Sequence, residues 1–177
     1  MIHLARHGQT AYNREGRFQG LLHVPLDDMG REQARALAEE AARREPAALW
    51  CSPLARARET ADIVAERLGL EPRDDLRLVE TDCGDWTGRT FAEVRARDPE
   101  GFARFERTDP TFRFPGGESY AEQTVRVTAA LADIRARPEE LPALVVTHRV
   151  SIRLALVAEH GEQERARVIP NAELVTL

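Results

Sequence analysis

The stretch IHLARHG, at residues 2–8, joins a short apolar run to an arginine, a histidine and a glycine. The apolar run predicts a buried β-strand over residues 2–5, so that Arg6 and His7 stand where this strand ends. In open α/β sheets, ligands bind beyond the carboxyl ends of the strands. Arg6 and His7 are therefore candidate site residues, although a single arginine or histidine is more often a structural or surface residue.

Apolar runs that predict strands alternate along the chain with segments whose apolar residues recur at helical spacing. The predicted strands after the first are residues 48–52, 76–80, 143–148 and 172–177. The predicted helices are residues 31–44, 53–68, 118–137 and 150–160, the second of them begun by Ser52 and Pro53 and ended by Gly69. This alternation predicts an α/β fold with a largely parallel sheet, in a single domain at residues 1–177.

The composition is that of an ordinary globular protein and excludes several classes of function. A formal net charge of −5 disfavours nucleic acid as a partner. All 25 basic residues are arginines, which excludes Schiff-base chemistry on a lysine. We find no signal peptide, no transmembrane run and no metal-spaced cysteine pair, so we expect a cytoplasmic enzyme with no membrane partner. The sequence leaves a monomer and a homodimer equally open.

Reactive side chains follow four of the predicted strands. Arg6 and His7 end the first strand, and Arg56 lies in the first turn of the helix after the second. Glu80 ends the third strand, and His148 ends the fourth. Because the carboxyl ends of parallel strands share one edge of the sheet, we expect these five side chains to meet there.

Two arginines, two histidines and a glutamate suit the transfer of a phosphoryl group. Guanidinium groups offer planar donors for a phosphate dianion, and they lower the pKa of a nearby histidine, which keeps it nucleophilic. A neutral imidazole can attack phosphorus, and a carboxylic acid can protonate the leaving alkoxide, with no metal or cofactor required. The competing interpretation is a zinc site of His7, His148 and Glu80, which the neighbouring arginines disfavour because they repel a cation.

Residues 91–117 interrupt the alternation of strands and helices. This segment contains five of the six phenylalanines, interleaved with arginines and broken by proline and glycine, and it predicts a small helical lid. Four phenylalanines are expected to form an apolar wall: Phe18, Phe102, Phe105 and Phe112. Three arginines either contact a second anionic group of a substrate or are simply solvated: Arg104, Arg107 and Arg113.

Five blocks of sequence resemble, in order, the motifs of the histidine phosphatase superfamily, the phosphoglycerate mutase-like group. They are LARHGQTAYNREGRFQGLLHVPLDDMG at residues 4–30, CSPLARARETA at 51–61, LVETDCGDWTGRT at 78–90, FPGGESY at 114–120 and VVTH at 145–148. An Arg-His-Gly sequence alone is a weak signal, whereas five ordered blocks spanning nearly the whole chain are a strong one.

The resemblance implies a three-layer α/β/α sandwich and a phosphohistidine mechanism. In that mechanism His7 is the nucleophile, Glu80 is the proton donor, and Arg6, Arg56 and His148 hold the phosphoryl group. The resemblance also implies a phosphate contact from Asn13, with Thr10 at the border of the pocket. The Arg-Phe-x-Gly run adds three further candidate binding residues: Phe18, Gln19 and Gly20.

Two positions depart from the pattern of the superfamily. Arg149 stands where a glycine usually follows the second histidine, and Cys83 stands where a phenylalanine is common. Arg149 either crowds the pocket, tilts His148, points away, or adds a third cation for a more anionic substrate. Cys83 is expected to be a core or pocket-wall residue.

The short segment at residues 91–117 resembles the small phosphatase branch, which includes α-ribazole phosphatases, phosphoserine phosphatases and broad-specificity enzymes. Mutases of the superfamily are generally longer there, and a shorter segment lets water reach the phosphoenzyme. We therefore expect a phosphatase that acts on a small phosphorylated metabolite. The alternatives are a phosphoglycerate mutase-type phosphotransferase and a non-catalytic phosphate-binding member of the superfamily.

Overall fold

The computed structural model describes all residues from 1 to 177 and contains a five-stranded sheet in the order β3-β2-β4-β1-β5. Four strands run parallel, and β5 pairs antiparallel with β1 at one edge. The strands are β1 Ile2–Arg6, β2 Ala48–Cys51, β3 Pro72–Asp74, β4 Ala143–Thr147 and β5 Leu174–Thr176. The central position of β1 and β4 places the ends of both strands at the middle of the sheet.

Seven α-helices accompany the sheet. They are α1 Ala11–Glu15, α2 Asp28–Ala42, α3 Ala55–Leu68, α4 Phe91–Arg97, α5 Pro99–Glu106, α6 Tyr120–Arg135 and α7 Arg149–His160. Helices α2 and α3 cover one face of the sheet, and α6 and α7 cover the other. The expected three-layer α/β/α fold is therefore confirmed.

Alternation of side chains along the strands builds the two cores. Leu4 and Val145 point to the face that packs against α6 and α7. Their neighbours Ala5 and Val146 point to the opposite face, against α2 and α3. Because both faces are covered, β2 and β4 are apolar runs, and β1 is apolar apart from His3 and the terminal Arg6, so the sequence predicts these three strands.

Two glycines allow the segment after β1 to pack closely against the start of α2. A β-carbon on Gly8 would lie 2.3 Å from the carbonyl oxygen of Gly30. A β-carbon on Gly30 would lie 2.0 Å from the carbonyl oxygen of Gln9. Neither position accommodates a side chain, so this contact fixes the path of the backbone directly after His7.

The segment at residues 91–117, which we call the cap, carries α4 and α5 and belongs to a third cluster of buried side chains. This cluster contains seven buried aromatic residues: Phe18, Trp86, Phe102, Phe105, Phe112, Phe114 and Tyr120. Their rings pack edge-on or tilted, as between Phe18 and Phe105 at 5.0 Å between centroids. The phenylalanines of the predicted lid thus belong to a small core that attaches the cap to α6 and α7.

The predicted strand at residues 76–80 is wrong. Residues Leu76–Leu78 form a 3₁₀ turn, begun by the Asp75 side chain, which accepts a hydrogen bond from the Arg77 N–H at 2.8 Å. The third strand instead lies at Pro72–Asp74, and Glu80 follows in an irregular segment. Leu78 is buried, so the apolar run reflects packing against α6 and α7 and not a strand.

The helix predicted over residues 53–68 begins at Ala55, two residues later than expected. The Ser52 hydroxyl accepts a hydrogen bond from the Leu54 N–H at 3.3 Å, ahead of the helix itself. Gly69 ends the helix in the left-handed conformation, with φ of 66°, as predicted. None of the helices combines the length and the apolar character needed to cross a membrane.

Candidate active site

A cavity of about 260 Å³ lies beside the carboxyl end of β1, between the first turn of α7 and the cap. Four predicted catalytic residues line it: Arg6, His7, Arg56 and Glu80. Five predicted binding residues also line it: Asn13, Phe18, Gln19, Gly20 and Arg149. The two remaining predicted residues, Thr10 and His148, are fully buried and contact residues of the walls without lining the cavity.

His7 follows β1 directly, and its backbone N–H donates to the carbonyl oxygen of Thr147 at 3.0 Å. Its Nδ1 lies 2.7 Å from the carbonyl oxygen of Gly8. Because a carbonyl oxygen only accepts, Nδ1 carries the hydrogen and Nε2 keeps a free lone pair. Burial, with the charges of Arg56 and Arg6, holds the pKa of His7 well below its ordinary value. His7 is therefore neutral at physiological pH.

Both site arginines are held by backbone carbonyl groups and not by carboxylates. Arg6 donates from Nη1 to Ile169 at 2.7 Å. Arg56 donates from Nη1 to Leu22 at 2.8 Å and from Nη2 to Gly20 at 2.9 Å. The Nε atoms of both arginines are buried without a partner. Burial lowers the pKa of Arg6 to about 9 and that of Arg56 to about 10, so both remain charged at neutral pH.

His148 precedes the first turn of α7, and its ring centroid lies 5.2 Å from that of His7. Its Nε2 shares a hydrogen bond of 2.8 Å with the Ser52 hydroxyl, and its Nδ1 is buried without a partner. Burial first, and then the charge of Arg56, holds the pKa of His148 well below its ordinary value. A second neutral imidazole with one unused nitrogen thus adjoins the first.

Glu80 is held through one of its two carboxylate oxygens. Oε1 accepts hydrogen bonds from the Thr81 N–H at 3.0 Å and from Gln123 Nε2 at 3.3 Å. Gln123 is fully buried, donates also to the Ser151 hydroxyl at 3.1 Å, and accepts from the Thr81 hydroxyl. Arg126 donates to the backbone carbonyl of Glu80 at 3.0 Å. The network fixes Oε1 and leaves Oε2 without a protein partner.

A cluster of amides and hydroxyls shapes the side of the cavity next to His7. Thr10 begins α1, and its hydroxyl donates to Gln19 Oε1 at 2.9 Å and accepts from the Asn13 N–H at 3.1 Å. Asn171 donates from Nδ2 to the His7 carbonyl at 3.0 Å and to Asn13 Oδ1 at 3.2 Å. Thr10 therefore orients two residues of the cavity wall from behind.

The apolar wall differs from the one expected. Four phenylalanines line the cavity: Phe18, Phe91, Phe105 and Phe114. Phe102 and Phe112, which were predicted to line it, are buried in the aromatic cluster behind these rings. Phe102 stacks against Phe105 at 5.6 Å, and Phe112 against Phe114 at 4.9 Å. They support the wall without reaching the cavity.

The positions that depart from the superfamily pattern both line the cavity. The guanidinium carbon of Arg149 lies 5.7 Å from the centre of the Phe105 ring, so this side chain does not point away. Burial raises the pKa of the Cys83 thiol, which makes it an inert wall residue, as expected. The three cap arginines discussed above lie outside the cavity: Arg104, Arg107 and Arg113.

Sequence reasoning missed several residues of the site. Gln123 is a polar residue on the buried face of α6, one turn before Val127, and Asn171 lies in the irregular segment before β5. Arg17 also lines the cavity, with its charge paired to Glu15 at 2.7 Å. No group of three or more His, Cys, Asp or Glu side chains is arranged to hold a metal ion.

Comparison with known proteins places this geometry in context. The family model described as histidine phosphatase superfamily (branch 1) matches residues 2–177. Phosphoserine phosphatase 1 of Hydrogenobacter thermophilus is 37% identical over 158 residues, which cover 89% of this chain and 75% of that protein. Glucosyl-3-phosphoglycerate phosphatase of Mycobacterium tuberculosis is 40% identical over 153 residues, which cover 82% of this chain and 68% of that protein.

A solved structure is also similar over nearly the whole chain. The structure of a mycobacterial glucosyl-3-phosphoglycerate phosphatase in complex with VO3 has a TM-score of 0.86 and 36% sequence identity. The superposition covers 98% of this chain and 90% of that one. The similarity therefore extends through both layers of helices and the cap.

Proposed function

Since the chain belongs to branch 1 of the histidine phosphatase superfamily, we propose that it hydrolyses small phosphomonoesters through a phosphohistidine formed on His7. The observation that carries this proposal is the state of His7. Its hydrogen is held on Nδ1 by the Gly8 carbonyl, and its Nε2 is free beside two guanidinium groups that have no carboxylate partner. The nucleophile His7 is thus adjacent to two guanidinium groups that can bind a phosphate dianion.

In the first half of the reaction, Nε2 of His7 attacks phosphorus, and the bond from phosphorus to the ester oxygen breaks. Arg6 and Arg56 line the cavity without a carboxylate partner and bind the phosphoryl oxygens. His148, whose Nδ1 has no protein partner, completes this set from behind the ring of His7. The leaving alkoxide takes a proton from Glu80, whose Oε2 is free to supply it. The products of this step are an alcohol, a Glu80 carboxylate and a phosphohistidine.

In the second half, water replaces the alcohol at the same position. The Glu80 carboxylate takes a proton from this water as the water oxygen attacks phosphorus, and the bond from phosphorus to Nε2 breaks. Inorganic phosphate leaves, His7 returns to its neutral form, and Glu80 regains its proton. Asn13 and Asn171 contribute by holding the backbone and side-chain wall next to His7.

The cavity supports a small substrate. Its volume of about 260 Å³ lies just below the usual range for ligand pockets, and part of that volume must hold the phosphoryl group. The names of the two relatives above describe phosphatases, which supports hydrolysis. We also propose the cytoplasm as the compartment, since Cys51 and Cys83 are both free and buried thiols.

The test is the release of inorganic phosphate from p-nitrophenyl phosphate by the purified protein, with EDTA present throughout. We expect turnover in EDTA, and His7→Ala should lower kcat by about four orders of magnitude or more. His160→Ala, at an exposed histidine at the end of α7, is the matched control and should match the wild type.

Two outcomes would contradict the proposal. Undiminished turnover in His7→Ala would rule out a phosphohistidine on His7. Loss of activity in EDTA that Mg²⁺ or Zn²⁺ restores would show that the reaction needs a metal ion. With a natural ester as substrate, a product that is an isomer of the substrate would instead identify a phosphotransferase.

A further inference from the structure

Arg149 is a cation in the cavity with no protein partner. It is the first residue of α7, it lines the cavity, and its guanidinium group rests over the Phe105 ring at 5.7 Å. The side chain of Arg149 makes neither an ion pair nor a hydrogen bond. Arg17, which also lines the cavity, is paired with Glu15. The Phe105 ring supports Arg149 from one side and leaves its N–H groups unused.

A count of charges separates Arg149 from the phosphoryl site. The proposed first step requires Glu80 in its protonated form, so in that step Glu80 adds no charge. A phosphomonoester dianion is then balanced by Arg6 and Arg56, because both histidines are neutral. Arg149 remains as one positive charge in excess of what a simple phosphomonoester requires.

The position of Arg149 is unfavourable in the free protein. The amino end of a helix carries a partial positive charge, which disfavours a cation in its first turn. Arg149 also lies close enough to Arg6 to be the second largest cause, after burial, of the lowered pKa of Arg6. A ligand anion beside Arg149 would relieve both repulsions.

We propose that Arg149 is a specificity residue that binds a second anionic group on the substrate, a carboxylate. The substrates of the site are then small phosphomonoesters that also carry a carboxylate, since the guanidinium fork matches a planar carboxylate and the cavity is small. This inference rests on the proposed function because it uses the same phosphoryl site.

The experiment compares two esters that differ only in the second anion, 3-phosphoglycerate and glycerol 3-phosphate. We expect the wild type to have the higher kcat/KM for 3-phosphoglycerate. Arg149→Gln should lower that value about ten- to hundredfold, mainly through KM, and change the value for glycerol 3-phosphate less than about twofold. Arg97→Gln, at an exposed arginine on α4 that lies outside the cavity, is the matched control and should change neither value.

Two results would overturn the inference. Equal losses on both esters would assign Arg149 to the phosphoryl group or to the fold, and thermal unfolding of Arg149→Gln distinguishes those two cases. Equal kcat/KM values for the two esters in the wild type, unchanged in Arg149→Gln, would show that no second anion is recognised.

Binding separates this inference from the proposed function. Calorimetric titration of both esters into His7→Ala, and into His7→Ala combined with Arg149→Gln, needs no turnover. Tighter binding of 3-phosphoglycerate than of glycerol 3-phosphate by His7→Ala, lost when Arg149→Gln is added, supports the inference. If the wild type nevertheless hydrolyses neither ester, only the proposed function fails. Equal affinity of both proteins for both esters, together with hydrolysis by the wild type, would leave the function intact and reject the role of Arg149.

Discussion

The two buried arginines of the cavity, Arg6 and Arg56, and the arginines on the cap are held in opposite ways. Inside the cavity, Arg6 and Arg56 donate to backbone carbonyl oxygens. On the cap, each arginine with an ionic partner donates to a carboxylate: Arg95 to Glu106, Arg104 to Asp109 and Arg113 to Glu122. The same residue type therefore serves two purposes in one protein.

The difference teaches how a site for an anion is kept ready. A carbonyl oxygen fixes the orientation of a guanidinium group without neutralising it, so the positive charge remains for a ligand. A carboxylate would fix it and cancel the charge as well. Burying two cations without a counter-charge costs free energy, and this cost is visible in the lowered pKa values of Arg6 and Arg56. A bound phosphate dianion compensates both charges.

The sharpest test of this comparison is Arg56→Lys. Lysine keeps the charge but lacks the fork that donates to both Gly20 and Leu22, so the cation loses its orientation and the carbonyls lose their donor. We expect kcat/KM for p-nitrophenyl phosphate to fall about 10²- to 10³-fold. The control is Arg58→Lys on the same helix, where the arginine is paired with Asp62, and this variant should lose less than about twofold. Equal activity of the two variants would show that charge alone suffices at Arg56.

The buried histidines lead to a second, smaller effect, on stability. Burial keeps the pKa values of His7 and His148 below about 6.5, so the folded protein excludes protons that the unfolded chain binds. Their contribution to stability is complete above pH 6.5 and is lost as the pH falls from there towards the folded pKa values. We expect the Tm of the phosphate-free protein to decrease as the pH is lowered through that range.

His7→Asn tests the size of this effect, since asparagine keeps an N–H for the Gly8 carbonyl but does not titrate. Removing one buried histidine should reduce the change in the free energy of unfolding by up to about 1.4 kcal/mol per pH unit, or the change in Tm by about 3 to 6 °C per pH unit. His160→Asn, at an exposed position, should leave the slope unchanged. A slope that is the same in His7→Asn and in the wild type would mean that His7 is already protonated in the folded protein.

The sequence allowed the centre of the fold to be predicted better than its edges. Strands β1 and β4 are buried on both faces, so their residues are apolar except for His3, and polar residues mark their ends. Strand β3 is an edge strand of proline, arginine and aspartate, held by backbone pairing to β2. Its residues carry no apolar signal, and the apolar Leu76 and Leu78 nearby suggested a strand in the wrong place.

The site followed the same division. The positions of Arg6, His7 and Arg56 beside the cavity could be predicted from motifs, because local sequence sets where β1 and β2 end. Glu80 lines the cavity without the strand that was predicted to end at it. Gln123 and Asn171 could not be predicted, since each reaches the site only through the tertiary packing of α6 and of the segment before β5. Phe102 was placed in the cavity because the sequence gives the composition of the cap but not which ring of α5 faces inward.

The smallest expected effect comes from the cap side of the comparison, with Arg104→Gln. Arg104 donates to Asp109 at 2.9 Å and to the Thr111 hydroxyl at 2.8 Å, and it lies outside the cavity. A partly exposed ion pair of this kind contributes about 0 to 1 kcal/mol, so Tm should fall by less than about 4 °C. Activity towards 3-phosphoglycerate should stay within about twofold of the wild type, in contrast to Arg149→Gln, which makes the same chemical change inside the cavity. A loss in Arg104→Gln as large as that in Arg149→Gln would break the comparison, because it would mean that a carboxylate-paired arginine outside the walls also binds the substrate.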